Sequence, residues 1–279
     1  MSNKKLNNFL KLSLLIGTVM VLSACGNLNE PITSDSSNIW DQFILYPFSQ
    51  FIVWLSRLMG NNFGLGIISF TLLIRLLLTP LTLMQMKSQN KIMELQPEIE
   101  TIKAKYPNKD RHSMELLQAE QQALFDEKGV NQFAGCLPTL IQLPILMALY
   151  QVISRTELIR QGHFLWVDLG QPDPYFIFPI LAALFTFLST YLNSKANPQQ
   201  NISMKIMMVA MPIMIFSISF ALPSAVSLYW FISNLITVII ILIFNNPYKI
   251  IQERQERIAH EKEKERQLRK ALKKAKSRK

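Results

Sequence analysis

Five apolar runs, each long enough to cross a bilayer about 30 Å thick, constrain this chain more than any motif does. They fall at residues 63–84, 133–153, 175–193, 204–222 and 224–244. None of them contains an aspartate or a glutamate. The charges sit in the connections and above all in the tail from Asn246 to Lys279, which holds thirteen Lys/Arg against five Glu. With 49% hydrophobic and 17% charged residues, the chain is too apolar and too segregated for an ordinary soluble domain. It reads as a polytopic helical membrane protein with aqueous extensions.

The N-terminus carries a processing signal that has to be set aside before the fold is read. Lys4, Lys5 and Lys11 precede the apolar stretch Leu12–Val21, and Leu22-Ser23-Ala24-Cys25 follows where that stretch stops. This resembles a bacterial lipoprotein signal: residues 1–24 are removed and Cys25 receives the lipid. An ordinary first transmembrane helix with a chance cysteine is the alternative. A lipidated Cys25 would lie on the outer face, and five crossings from there put the tail, 246–279, in the cytoplasm. The basic excess of that tail gives the same orientation independently. The expected home is the bacterial cell membrane.

Residues 25–38 form a polar tether. Residues 39–58 follow, with Trp40, Phe43, Ile44, Phe51, Trp54, Leu55 and Leu58 mostly three or four apart. Charges at Asp41 and Arg57, the aromatics throughout, and Pro47 with the polar residues favour an amphipathic helix in the outer interface over another span. The cytoplasmic connection 85–132 mixes seven basic and eight acidic residues and reads as an antiparallel pair of helices parted by Pro107-Asn108-Lys109-Asp110. Ile92, Leu95, Ile99 and Ile102 are expected to face Leu116, Leu117, Ala123 and Leu124. No nucleotide-binding or catalytic motif occurs in it. With two cysteines and three scattered histidines, no disulfide framework, metal site or cofactor is expected, nor an enzyme.

Arg75 stands in the middle of "SFTLLIRLLLTP", Ser69–Pro80. A central arginine costs roughly 2.5–3.5 kcal/mol to insert into hydrocarbon. It lies nine positions before Met84, roughly 13 Å along a helix, too far for comfortable snorkelling. Without an intramembrane carboxylate to pair with, such a residue implies a wet cavity and a vacancy for an incoming anionic group. Thr71, Arg75, Thr79 and Thr82 share one helix face. Ser227, Trp230, Asn234 and Thr237 repeat similarly in the fifth run; Thr186, Ser189, Thr190 and Asn193 in the third; Thr139 and Gln142 in the second. The expected fold class is therefore all-α, with five transmembrane helices (the core, 59–245) around a hydrophilic groove. The fourth run differs, crowding Met204, Met207, Met208, Met211 and Met214, either an adaptable client surface or ordinary lipid-facing packing.

Four segments, in order, carry a family resemblance: the arginine of "LLIRLLLTPL", "MELQPEI" in the hairpin, "GCLPTLIQLPILMALYQVI" (Gly135–Ile153) and "PSAVSLYWFISN" (Pro223–Asn234). Together they resemble the YidC-type membrane protein insertases over residues 40–245. The lipoprotein-like start without a large outer domain is similar to the Gram-positive branch. The resemblance implies a groove open to cytoplasm and lipid and closed outside. Its arginine falls on Arg75, its polar position in the third span on Ser189, where relatives often carry Gln, and its aromatic position in the fifth on Trp230. The proposed substrate groove is thus Arg75, Thr71, Thr79, Gln142, Thr186, Ser189, Trp230 and Asn234. A nascent hydrophobic segment would pass from the hairpin into the groove and slide between spans three and five into lipid, without ATP.

The partners implied are nascent membrane proteins. The basic tail offers contact with ribosomal RNA, binding to anionic lipids, or topology enforcement alone. Work alone or beside the Sec translocon stays open. A small-solute or anion transporter or channel built on the Arg75 cavity is the competing class, though no internal repeat supports it.

Overall fold

A computed structural model describes residues 30–34, 36, 38–108, 110–131, 137–197 and 202–276, through the backbone alone at 137–141, 202–204 and 272–276. The described helices are α1 (Asp41–Leu45, a single π-turn), α2 (Tyr46–Leu58), α3 (Phe63–Glu94), α4 (Gln96–Lys105), α5 (Arg111–Glu127), α6 (Leu137–Arg155), α7 (Glu157–Arg160), α8 (Ile177–Lys195), α9 (Ile202–Ala221), α10 (Ser224–Phe244) and α11 (Pro247–Lys276). Two two-residue strands, β1 (His163–Phe164) and β2 (Val167–Asp168), pair antiparallel. Among the described residues, α3, α8 and the run opening with α10 are long and apolar enough to cross a membrane; the apolar part of α9, from Lys205, is shorter.

α10 is the hub. It packs on α8, α3 and α6, whereas α9, its chain neighbour, lies against α8 and barely meets α10. Leu45 and Ile52, Ile67 and Phe70, Leu149 and Val152, and Leu228 and Tyr229 bring α1/α2, α3, α6 and α10 into one buried cluster. A second cluster, Met86, Leu192, Val238 and Ile241, joins α3, α8 and α10 nearer the tail. α8 and α10, the third and fifth apolar runs, pack closely on each other.

α3 starts on a capped turn, the Asn62 side chain accepting from the Leu65 amide at 3.0 Å, a common way to satisfy a first-turn N–H. It does not stop where its apolar run ends at Met84 but continues unbroken to Glu94. The polar residues after Met84 are compatible with helix; the break comes at Leu95, just before Pro97 in the first turn of α4. Proline is tolerated there because that amide has no helical partner.

In the α4–α5 pair, Leu95, Ile99 and Ile102 pack on Leu124, Phe125 and Val130, with Leu117 at the edge. Two of the expected partners, Leu116 and Ala123, are exposed instead. The reason lies in the turn after α5. Gly129 has φ +62°, Val130 N–H donates to the Phe125 carbonyl at 2.8 Å and Gly129 N–H to that of Asp126 at 3.2 Å. This Schellman closure draws Phe125 and Val130 together, and the larger Phe125 displaces Ala123 from the interface.

The opposite end of the bundle is closed by residues 156–176, where the sequence reading places no structure. The Phe164 ring lies over Gly64 of α3, where a Cβ would stand 2.1 Å from the ring. Asp173, buried, accepts from Trp166 Nε1 (3.0 Å) and the amides of Tyr175 (3.0 Å) and Phe178 (2.8 Å), capping α8. The Gln171 and Leu169 carbonyls receive the first amides of α10, Ser224 at 2.7 Å and Ala225 at 3.2 Å. Beside this cap, Arg155 at the end of α6 grips Asp41 of α1 through two bonds, Nη2–Oδ2 at 2.5 Å and Nη1–Oδ1 at 3.0 Å. Its Nε donates to the Glu30 carbonyl at 2.8 Å.

Candidate functional site

Arg75 projects from α3 toward α10 and α6. Its Nε donates to Ser233 Oγ at 2.6 Å, and Nη2 donates to the same oxygen and to Gln142 Oε1 at 3.4 Å. Gln142 Nε2 donates in turn to Tyr229 Oη at 2.8 Å. The amide is thereby oriented, nitrogen to the phenol and carbonyl to the guanidinium. Ser233 is fully buried and Tyr229 is 2% exposed, so the acceptors are rigidly placed in the α10 packing.

Every one of these acceptors is neutral, and among the described residues no carboxylate forms an ion pair with Arg75. Neutral acceptors offset part of the desolvation of a guanidinium but leave its charge uncompensated. An anionic group arriving here would find a cation that is already oriented. That is the chemistry the arrangement offers: transient attraction of negative charge.

The other expected groove residues divide. Gln142 joins Arg75 directly. Thr71, Thr79, Thr186 and Ser189 donate to carbonyls of their own helices, Ile67 (2.7 Å), Arg75 (2.7 Å), Ala182 (2.7 Å) and Thr186 (2.9 Å). Such back-bonding satisfies a hydroxyl locally and keeps its donor from a ligand. Thr71 is fully buried in packing. Asn234 Nδ2 donates to the Trp230 carbonyl at 2.9 Å, and Trp230 is buried among apolar residues. Of the α10 residues, Ser233 bonds Arg75 directly and Tyr229 is linked to it through Gln142, one position before Asn234 and Trp230 respectively. Thr237, in the expected stripe, donates to the Ser233 carbonyl at 2.9 Å. Thr139, by its side chain, and Cys25 lie outside the described residues. Met207 and Met214 of α9 are exposed, on a helix that only α8 covers extensively.

The family sequence model described as 60Kd inner membrane protein matches residues 54–256. The membrane protein insertase YidC 1 of Streptococcus agalactiae is 48% identical over 277 residues, 98% of this chain and 99% of that protein. This chain belongs to the YidC family of membrane protein insertases. Other YidC relatives agree: YidC 2 of Listeria innocua is 47% identical over 93% of this chain and 90% of its own, and MisCA of Bacillus subtilis 44% over 84% and 89%. A crystal structure of an active YidC insertase, with its first transmembrane domain resolved, aligns with TM-score 0.57 at 32% identity, covering 73% of this chain and 46% of that longer one. The YidC assignment makes this a multi-pass bacterial membrane protein.

Proposed function

We infer that this protein is a non-enzymatic membrane chaperone that inserts nascent hydrophobic segments into the bacterial cell membrane. The observation that carries the mechanism is Arg75 held by neutral acceptors from two other helices, its charge uncompensated. In this reading α3, α6, α8, α9 and α10 are the five spans, with α11 in the cytoplasm and α1–α2 in the outer interface. Cys25 is the lipid anchor. The α4–α5 pair receives the client by contact. Its acidic flank is drawn to Arg75, and its apolar segment slides between α8 and α10 into lipid. Hydrophobic burial drives the step, and the membrane potential adds about 2.3 kcal/mol per charge per 100 mV. Thr71, Thr79, Thr186, Ser189, Trp230 and Asn234 belong to the walls around that path. Basic α11 suits ribosomal RNA or anionic headgroups, and the Sec translocon is a candidate companion.

The test uses purified protein in liposomes and a single-spanning client with one acidic residue in its short translocated flank. Protease protection of that flank is compared for wild type, Arg75→Lys, Arg75→Ala and Arg75→Glu. Insertion with Lys but not with Ala or Glu is the expected result. Equal insertion by all four removes Arg75 from the mechanism. A wild type that inserts nothing overturns the insertase reading and makes solute flux the next measurement.

A further inference from the structure

We propose that the β1–β2 hairpin is an interfacial membrane anchor, its tip residues Leu165 and Trp166 buried in the leaflet at the end of the bundle away from α11. Backbone strain raises the question. Among the described residues, three that are not glycine have positive φ: Asn61, Leu165 (φ +55°) and Phe176 (φ +57°). Asparagine tolerates that region; bulky apolar residues seldom occupy it. Leu165 is the first residue of a two-residue hairpin turn, where positive φ ordinarily selects glycine. Phe176 sits at the N-cap of α8. Both lie in the same closing segment, and strain kept at such positions points to a role the side chain performs.

The hairpin has three chemically distinct parts. Phe164 and Val167 face inward and are buried. His163 and Asp168 face outward and pair with each other. The tip is apolar, with Leu165 71% exposed and Trp166 37%. Trp166 is held in place, its Nε1 bonded to Asp173 and its ring 5.0 Å from that of Phe178. An apolar body with a satisfied polar edge is what aromatic residues present at a bilayer interface.

The occupant is identified by continuity. Ile177, Ile180, Leu184 and Phe187 form one exposed apolar stripe at three- and four-residue spacing along α8, a helix long enough to span the membrane. That stripe runs into Tyr175, 65% exposed, and into Phe176, which stacks on Phe220 of α9 at 4.9 Å. Trp166 reaches the same corner through Asp173, whose Oδ1 accepts from both its Nε1 and the Tyr175 amide. The lipid that covers the α8 stripe therefore meets the hairpin tip at its upper edge. The anchor fixes the depth of the segment that closes this end, a role independent of what Arg75 does.

The experiment places single cysteines at positions 165, 175 and 163 of the full chain carrying Cys136→Ser, and labels them with an environment-sensitive fluorophore in liposomes. The parent without an added cysteine corrects for label taken by Cys25. Labels at Leu165→Cys and Tyr175→Cys are expected to be quenched several-fold more by headgroup-proximal nitroxide lipids than by aqueous iodide. His163→Cys should give the reverse. In a second variant, Leu165→Asn joined to Tyr175→Cys, asparagine suits the left-handed backbone, so folding is retained. Lipid quenching at 175 should then fall several-fold. The proposal is overturned if 165 and 175 are as open to iodide as 163. It is equally overturned if they are protected only when other membrane proteins are co-reconstituted, since the cover is then protein.

Discussion

Two arginines, Arg155 buried and Arg75 half-buried, are treated in opposite ways. Arg155 has a carboxylate in bidentate grip, a backbone carbonyl and the Gln151 amide oxygen at 3.4 Å, and its side chain is 2% exposed against 9% for Asp41. Arg75 has a serine hydroxyl and a glutamine carbonyl. The first spends its charge inside the fold, tying α1 and the residue-30 backbone to α6. The second is positioned without being neutralised. The difference separates a residue that holds the structure from one that is available to a client.

The sharpest way to break this contrast is to remove each arginine in turn. Arg155→Ala leaves Asp41 buried and unpaired and should cost about 3–5 kcal/mol, read as thermal unfolding in detergent, with the exchange Asp41→Arg/Arg155→Asp recovering part of the loss. Arg75→Ala removes neutral hydrogen bonds and should cost about 1 kcal/mol while abolishing insertion of an acidic-flanked client. If both substitutions destabilise equally, Arg75 is a structural residue too.

Next in size is the closed end itself. Gly64→Ala puts a methyl into the Phe164 ring, and overpacking of this kind typically costs about 1–3 kcal/mol. The loss should appear first as faster hydrogen exchange in residues 162–170, with the α4–α5 pair unaffected. Exchange rising equally in both regions would mean that the two ends are one cooperative unit. A smaller effect is expected of Tyr229→Phe, which deletes the acceptor that orients Gln142 and should cost about 1 kcal/mol. Insertion should fall less than for Arg75→Ala. An unchanged insertion rate would show that Gln142 is aligned well enough by Arg75 alone.

How much of this was legible in the sequence follows from the range of each signal. The α10 limits, 224–244, could be read because Pro223 and the end of the apolar run are local. Gln142 was found beside Arg75 because it is a polar residue in an apolar run. Its α10 partners were not singled out: Val226, Tyr229 and Ser233 have the same three- and four-residue spacing as the stripe Ser227, Trp230 and Asn234. Periodicity alone does not say which of two adjacent faces turns toward α3. The Arg155–Asp41 pair joins residues 114 apart, and no local pattern announces it. The same holds for the hairpin 163–168, whose strands are two residues long and whose turn carries leucine where glycine is expected.

The weakest test concerns the α4–α5 pair, whose charges are all in water. Glu120 is held below its ordinary value of 4.5 by the hydrogen bond from Lys105, and Asp110, the N-cap of α5, below 3.8 by the Ser113 hydroxyl and amide. For both, the unfolded pair binds more protons than the folded one over the range just below those ordinary values. Their contribution is therefore complete above the ordinary carboxylate range and is lost as pH falls through the lowered one. Exposed and screened by salt, it should amount to a small rise in amide exchange at Leu124 and Phe125 on acidification, after correction for intrinsic rates, with none at Leu149 or Val152. Glu120→Gln should flatten part of that response. A response of equal size in α6 would mean that the pH dependence does not belong to the α4–α5 pair.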